Sequence, residues 1–190
     1  AAEAVCAAWQ QMSKISGGPK VLVARAGNVI GGGDFAKDRL IPDAIRAITS
    51  EQNLLIRSPE ATRPWQHVLD PLIGYLKYIE SAQSSLSVEP SLNFGPLEPS
   101  LRVDNVLEIA KAHFEERLKV TYKKANQEIE SQTLELDPSC AIARLGWRPQ
   151  WNQEEAIGRT FMWWAKTLAN PSRSLENCLE DIEIAVGKAL

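Results

Sequence analysis

The chain has little cysteine, histidine or methionine, no excess of positive charge and no long apolar run in its 190 residues. Its three cysteines, Cys6, Cys140 and Cys178, are odd in number, scattered and never in CxxC pairs. That usage supports neither a disulfide framework nor a zinc site, and it fits a reducing cytoplasm. No apolar stretch reaches the roughly 18–20 residues of a membrane span. No basic segment leads into an apolar core at the start, so no signal peptide is read. A net charge of −3 and a pI near 5.5 argue against a general nucleic-acid binder, which carries a basic excess. With only His67 and His113 and no Ser–His–Asp pattern, a hydrolytic triad lacks support. Neither a Walker loop nor a GxGxxG fingerprint is found.

What remains is an ordinary globular composition, 44% hydrophobic and 24% charged, of a length that fits one domain or part of a larger one. Residues 1–12 read as a helix with Val5 and Trp9 on one face, stopped by Ser16-Gly17-Gly18-Pro19. The continuous apolar run 21–24 predicts a strand buried on both faces, followed by a glycine-rich loop over 25–34. Helices are expected over 38–50, from an Asp70 cap with Pro71 at the first position, over 103–118, 138–145, 152–168 and 175–190. Asn152 with Glu155 forms a capping-box pair. Strands are expected at 54–56, 92–94, 120–122 and 133–136, with a polar linker over 84–90. Alternating strands and helices indicate an α/β fold, shading to α+β in the second half.

Arg25, Arg39, Arg57 and Arg63 fall among glycines, prolines and loop signals. The guanidinium fork suits phosphate, although acidic residues of the same stretch could equally engage these arginines. Asn28 lies where the chain leaves a strand, the side of an open α/β sheet where ligands bind; alternatively it is a turn former. Trp65 and His67 read as core, at least one of Trp163 and Trp164 likewise, and Glu180, Asp181 and Glu183 as a solvated helix face.

The stretches RAGNVIGGGDFAKDRLIPD (25–43) and IRSPEATRPWQHVLDP (56–71), with LNFGP (92–96) and LELDPSCAIARLGWRPQW (134–151), resemble the CDP-glucose 4,6-dehydratase family. That family lies within the extended short-chain dehydrogenases/reductases, and the resemblance runs from Ala1 to about Trp164. It implies the carboxyl-terminal part of a Rossmann-type fold joined to a smaller α+β substrate-binding domain. Residues 1–35 would end the NAD-binding domain. Residues 36–170 would mainly bind the nucleotide sugar, with segments returning to the Rossmann sheet, and 171–190 would be a terminal helix. The implied reaction converts CDP-glucose to CDP-4-keto-6-deoxyglucose. Bound NAD takes hydride from C4 and returns it to C6, while a tyrosinate and acidic groups manage the protons.

By motif, Asn28 resembles the asparagine that holds the sugar-nucleotide diphosphate, and Arg63 the arginine that pairs with it. Arg39, Leu40, Ile41 and Pro42 match a segment lying against the nucleotide, and Arg57 lies toward the nucleoside. Ala26 and Val29 match backbone positions near the nicotinamide. No catalytic residue is assigned here, because the resemblance places the Tyr/Lys pair upstream of Ala1; no metal is implied. Phe35 stands in place of an expected tryptophan, and Cys140 in place of a common lysine. The implied state is a cytoplasmic homodimer binding neither nucleic acid nor membrane. A related epimerase or reductase, or a non-catalytic sugar-nucleotide-binding or assembly module, is the alternative.

Overall fold

The computed structural model describes residues 2–84, 88–123 and 134–189. The elements are α1 (Ala2–Ser16), β1 (Val23–Ala26), β2 (Asn28–Ile30), α2 (Leu40–Thr49), β3 (Asn53–Ile56), β4 (Thr62–Arg63), β5 (Trp65–His67) and α3 (Leu69–Ser84). There follow β6 (Ser91–Phe94), β7 (Leu101–Arg102), α4 (Val103–Phe114), β8 (Lys119–Tyr122), α5 (Ser139–Leu145), α6 (Gln153–Ala169) and α7 (Ser174–Ala189). Among the described residues the strands form two-stranded pairs. Three are parallel: β1 with β6, β2 with β5, and β3 with β8; β4 with β7 is antiparallel. Parallel neighbours need crossovers, and the helices between them supply these. The fold is thus mixed α/β, as the alternation predicts.

Three apolar clusters hold it together, the smallest formed by Trp151, Ala156 and Ala185. The largest joins α2, β3, β5, α4 and α6; Ile41, Ala44, Ile45 and Ile48 put one face of α2 into it at helical spacing. A second gathers Tyr78, Leu92, Phe94, Ala141 and Trp147 between α3, β6 and α5. Local signals set several boundaries as expected. The Asn152 side chain accepts from the Glu155 N–H at 2.8 Å while Glu155 accepts from the Asn152 N–H at 3.1 Å, opening α6. Gly146 ends α5 at φ +59°, where a Cβ is disfavoured.

Other expectations are corrected. The strand predicted at 21–24 begins at Val23 and is not buried on both faces: Ala24 is exposed and the rest is half-buried, and β6 is its one strand partner among the described residues. The presumed loop 25–34 contains β2. Residues 134–136 form no strand, and Thr133 lies outside the described residues, as do 85–87 of the predicted linker. Asp70 does not cap α3, which starts one residue earlier. It is fully buried, with its carboxylate accepting from the Gln150 N–H at 2.6 Å and its carbonyl from the Trp147 indole N–H at 3.0 Å. A long-range clamp overrides the local capping preference.

Gly74 lets α3 lie against β6. A Cβ there would come 2.4 Å from Phe94 Cδ1 and 3.0 Å from Trp147 Nε1, and both rings are buried. Gly74→Ala is therefore expected to destabilise by about 1–3 kcal/mol through overpacking, despite its better helix propensity. A lower urea midpoint checks this; an unchanged one would mean that α3 can shift away.

Candidate functional site

Arg63 and Asn28, far apart in the chain, are brought together. The Asn28 N–H donates to the Pro64 carbonyl at 2.8 Å, and β2 continues beside β5 with Asn28 opposite Trp65. Gly27 permits this approach, since a Cβ there would lie 2.5 Å from the Pro64 oxygen. Arg63 lies on β4 opposite Leu101, half-buried, and its Nη1 donates to the Thr62 carbonyl at 2.8 Å.

Beside them runs a groove of about 310 Å³, walled by Pro64, residues 96–100 and residues 135–138. Its walls are tied down. Ser100 Oγ donates to the Leu134 carbonyl at 2.7 Å, and Asn93 Nδ2 to the Asp137 carbonyl at 3.2 Å. Gln66, buried on β5, donates to the Phe94 carbonyl at 2.8 Å where β6 ends. The groove is acidic, with Glu98, Glu135 and Asp137 on its walls. Hydrogen bonds from the Ser139 backbone and hydroxyl hold the Asp137 carboxyl below its usual range. A larger hollow of about 470 Å³ at residues 113–117 is lined by His113 but by none of the residues that the motifs assign to binding. The groove at the strand ends is the better candidate, since ligands of open α/β sheets bind beyond the carboxyl ends of strands.

The remaining residues are distributed around this centre. Ala26 ends β1 opposite Phe94, and Val29 lies opposite Gln66; both are half-buried. Arg39 is exposed and paired with Asp34 at 3.1 Å. Leu40 is half-buried, while Ile41 and Pro42 are buried in α2. Arg57 is exposed just after β3, the strand that pairs with β8. Arg25 has its fork taken by Glu3 of α1, with both nitrogens at 2.6 Å, and reaches Asn93 at 3.2 Å.

Neither tyrosine near β6 is set up as a proton-taking tyrosinate. Burial raises Tyr75, and burial with the Glu89 charge pushes Tyr78 up to about 12, its hydroxyl donating to the Glu89 carbonyl. No YxxxK spacing occurs in the 190 residues. Nearby, Phe35 is exposed and stacks edge-on to Trp164 at 5.3 Å.

The expectation of a solvated face on α7 fails at Asp181. It is half-buried, pairs with Arg159 at 3.2 Å and approaches His67 Nε2 at 3.9 Å, while Trp151 packs against both Arg159 and the His67 ring. Trp65, His67, Trp163 and Trp164 are all buried, as expected. His67 Nδ1 accepts from the Leu69 N–H at 3.4 Å at the start of α3.

Burial, reinforced by the Arg159 charge, lowers His67 from 6.5 to about 4, so the ring is neutral at pH 7 and its contact with Asp181 is no ion pair. The unfolded chain takes up this proton near 6.5 and the folded chain only near 4. Between those values the unfolded state holds more protons, so stability rises with pH there. The contribution is complete above 6.5 and is lost as pH falls toward 4, a swing of about 3 kcal/mol. Denaturant titrations across this range should show a smaller acid loss for His67→Gln than for the parent chain. Equal losses would assign the pH dependence to other groups.

The fold is that of the nucleotide-sugar epimerases and dehydratases of the extended short-chain dehydrogenase/reductase type. UDP-glucose 4-epimerase from Thermotoga maritima with UDP-glucose superposes with a TM-score of 0.72 at 20% identity, over 87% of this chain and 52% of that one. UDP-glucuronic acid 4-epimerase from Bacillus cereus, in complex with UDP-glucuronic acid and NAD, gives 0.67 at 14%, over 87% and 50%. An NAD-dependent NDP-hexosamine 5,6-dehydratase of tunicamycin biosynthesis gives 0.63 at 23%, over 78% and 46%. In sequence, the chain is 41% identical over 145 residues to CDP-glucose 4,6-dehydratase of Salmonella typhimurium, over 73% of this chain. The resemblance read from the motifs therefore holds. The chain spans 39% of that relative's length. No family model matches the chain. Among the described residues no helix is long and apolar enough to cross a membrane.

Proposed function

We propose that this chain supplies the nucleotide-sugar-binding part of an NAD-dependent dehydratase that converts CDP-glucose to CDP-4-keto-6-deoxyglucose. The observation that carries this reading is the backbone bond from Asn28 to Pro64, the residue that follows Arg63 and walls the groove, in a chain 41% identical to a CDP-glucose 4,6-dehydratase. The Arg63 fork and the Asn28 amide take the diphosphate, where charge-assisted bonds are strongest. The acidic groove beyond them repels further phosphate and accepts from hydroxyl and amino donors. Arg39 and the backbone of residues 40–42 flank the nucleotide, with Arg57 on the nucleoside side.

NAD, when bound, takes up hydride from the sugar and gives it back within one turnover. The residues present suit its nicotinamide end: Ala26 ends β1, Val29 lies within β2, and both offer small or apolar surface. No GxGxxG cradle for its pyrophosphate is among the 190 residues. In this reading residues 1–35 belong to the NAD-binding domain, residues 36–170 mainly to the substrate domain, and α7 is an appended helix. The assembly is a cytoplasmic homodimer that binds neither nucleic acid nor membrane, in keeping with the free cysteines and the charge of −3.

Calorimetric titration of the chain with CDP-glucose tests the assignment. Arg63→Ala should raise Kd about tenfold or more, the scale of one lost charge-assisted bond pair. Absence of binding by the parent chain, or an unchanged Kd in the variant, counts against the reading. In the enzyme of which this part is proposed to be the substrate half, a 4-keto-6-deoxy product separates dehydration from simple C4 inversion.

A further inference from the structure

Gln153 is the first residue of α6 and is 2% exposed. Its Oε1 accepts from the Trp65 N–H at 3.0 Å and the Leu101 N–H at 3.3 Å. Its Nε2 donates to the Glu98 carbonyl at 3.3 Å and the Pro99 carbonyl at 2.7 Å. A side-chain amide has two acceptor sites and two donor hydrogens, so its capacity is filled by backbone alone. The four groups it ties are not arbitrary. Trp65 follows Arg63 by two residues, Leu101 is the residue opposite Arg63 across the β4–β7 pair, and Glu98 with Pro99 forms one wall of the groove. One amide thus spans the gap between the arginine and the wall.

We propose that Gln153 is a positioning residue for the groove: it fixes Arg63 relative to residues 96–100 and so sets the geometry in which a nucleotide sugar is held. This rests on the reading of the groove as a nucleotide-sugar site. A leucine here would fill nearly the same volume. It would leave the Trp65 and Leu101 N–H groups without a partner and release the 98–99 carbonyls to water. Glutamate would keep the acceptor and lose both donors, which separates the two halves of the role.

The test combines hydrogen exchange with CDP-glucose titration of the chain and its Gln153→Leu and Gln153→Glu variants. For Gln153→Leu, exchange should accelerate at residues 62–65 and 96–101 while α7 stays protected, and Kd should rise about tenfold. For Gln153→Glu, the Trp65 and Leu101 amides should stay slow, residues 96–100 should open, and Kd should fall between the other two. A folded Gln153→Leu protein with the parent Kd overturns the proposal, and so does faster exchange spread evenly over the chain. If Gln153→Leu does not fold, the split pattern in Gln153→Glu decides, and a Gln153→Glu protein equal to the parent throughout overturns the proposal. If the parent chain does not bind CDP-glucose, the groove assignment fails by itself. The exchange pattern then decides the positioning role: local opening supports it, and unchanged protection overturns it.

Discussion

The indole of Trp163 lies against bare backbone at Gly32, so close that a Cβ there would fall 2.0 Å from Cδ2. Nothing larger than glycine fits, and the contact decides where the segment after β2 can run. Gly33 follows at φ +79° beneath the same ring, and Phe35 closes onto Trp164 at 5.3 Å. The conformation of the glycine-rich stretch is therefore imposed by α6, a helix more than a hundred residues later in the chain. The far end of the same helix holds β5 and the groove wall through Gln153. Asn28, Arg63 and the groove thus take their relative places from one rigid rod seated in the largest apolar cluster.

That dependence explains the distribution of polar groups inside. Gln66, His67, Asp70 and Gln153 are all buried. Gln66, Asp70 and Gln153 bind backbone groups distant in sequence, while His67 receives the N–H that opens α3. In a low-dielectric interior a bond of this kind is strong and its loss is costly, so each acts as a directional tie where apolar packing would tolerate sliding. The ties concentrate on β5 and its neighbours, the strands that carry Arg63 and flank Asn28. The α1 helix contrasts with this: it buries no residue and is joined to β1 through the exposed Glu3–Arg25 pair, which salt screens and which contributes little.

Features with local causes were legible in the sequence. The Asn152–Glu155 pair, the Gly146 stop and the 3.6-residue spacing of Ile41, Ile45 and Ile48 each act within a few residues, and the structure follows them. The β1–β6 strands and the α/β alternation were readable for the same reason. The two- and three-residue strands β2, β4, β5 and β7 were not, because they are too short to carry a periodicity and exist by pairing. Asp70 followed its pairing too: its local preference for a cap yields to the Gln150 N–H and the Trp147 indole. At the site, Asn28 and Arg63 were singled out by residue type and motif. Gln153 sends no local signal, since at the first position of a helix a glutamine reads as surface.

The electrostatics of the groove follow from the same construction. Glu98, Glu135 and Asp137 could not be gathered on the walls of one groove if it had to attract a diphosphate along its whole length. Arg63 lies instead on the short β4 strand, next to Pro64 of the groove wall. Its fork partly engages the Thr62 carbonyl, and its backbone is bracketed by Trp65 and Leu101. In the proposed reading, separating the charges would sort a bipolar ligand by orientation, with its anionic part toward Arg63 and Asn28 and its hydroxyl-bearing or amino-bearing part toward the carboxylates. Such sorting works only while the distance from arginine to carboxylate wall is constant. On the Glu98 side that distance is set by backbone hydrogen bonds to the buried Gln153 amide, and on the Asp137 side by the Ser100 and Asn93 side chains, not by the charged side chains themselves.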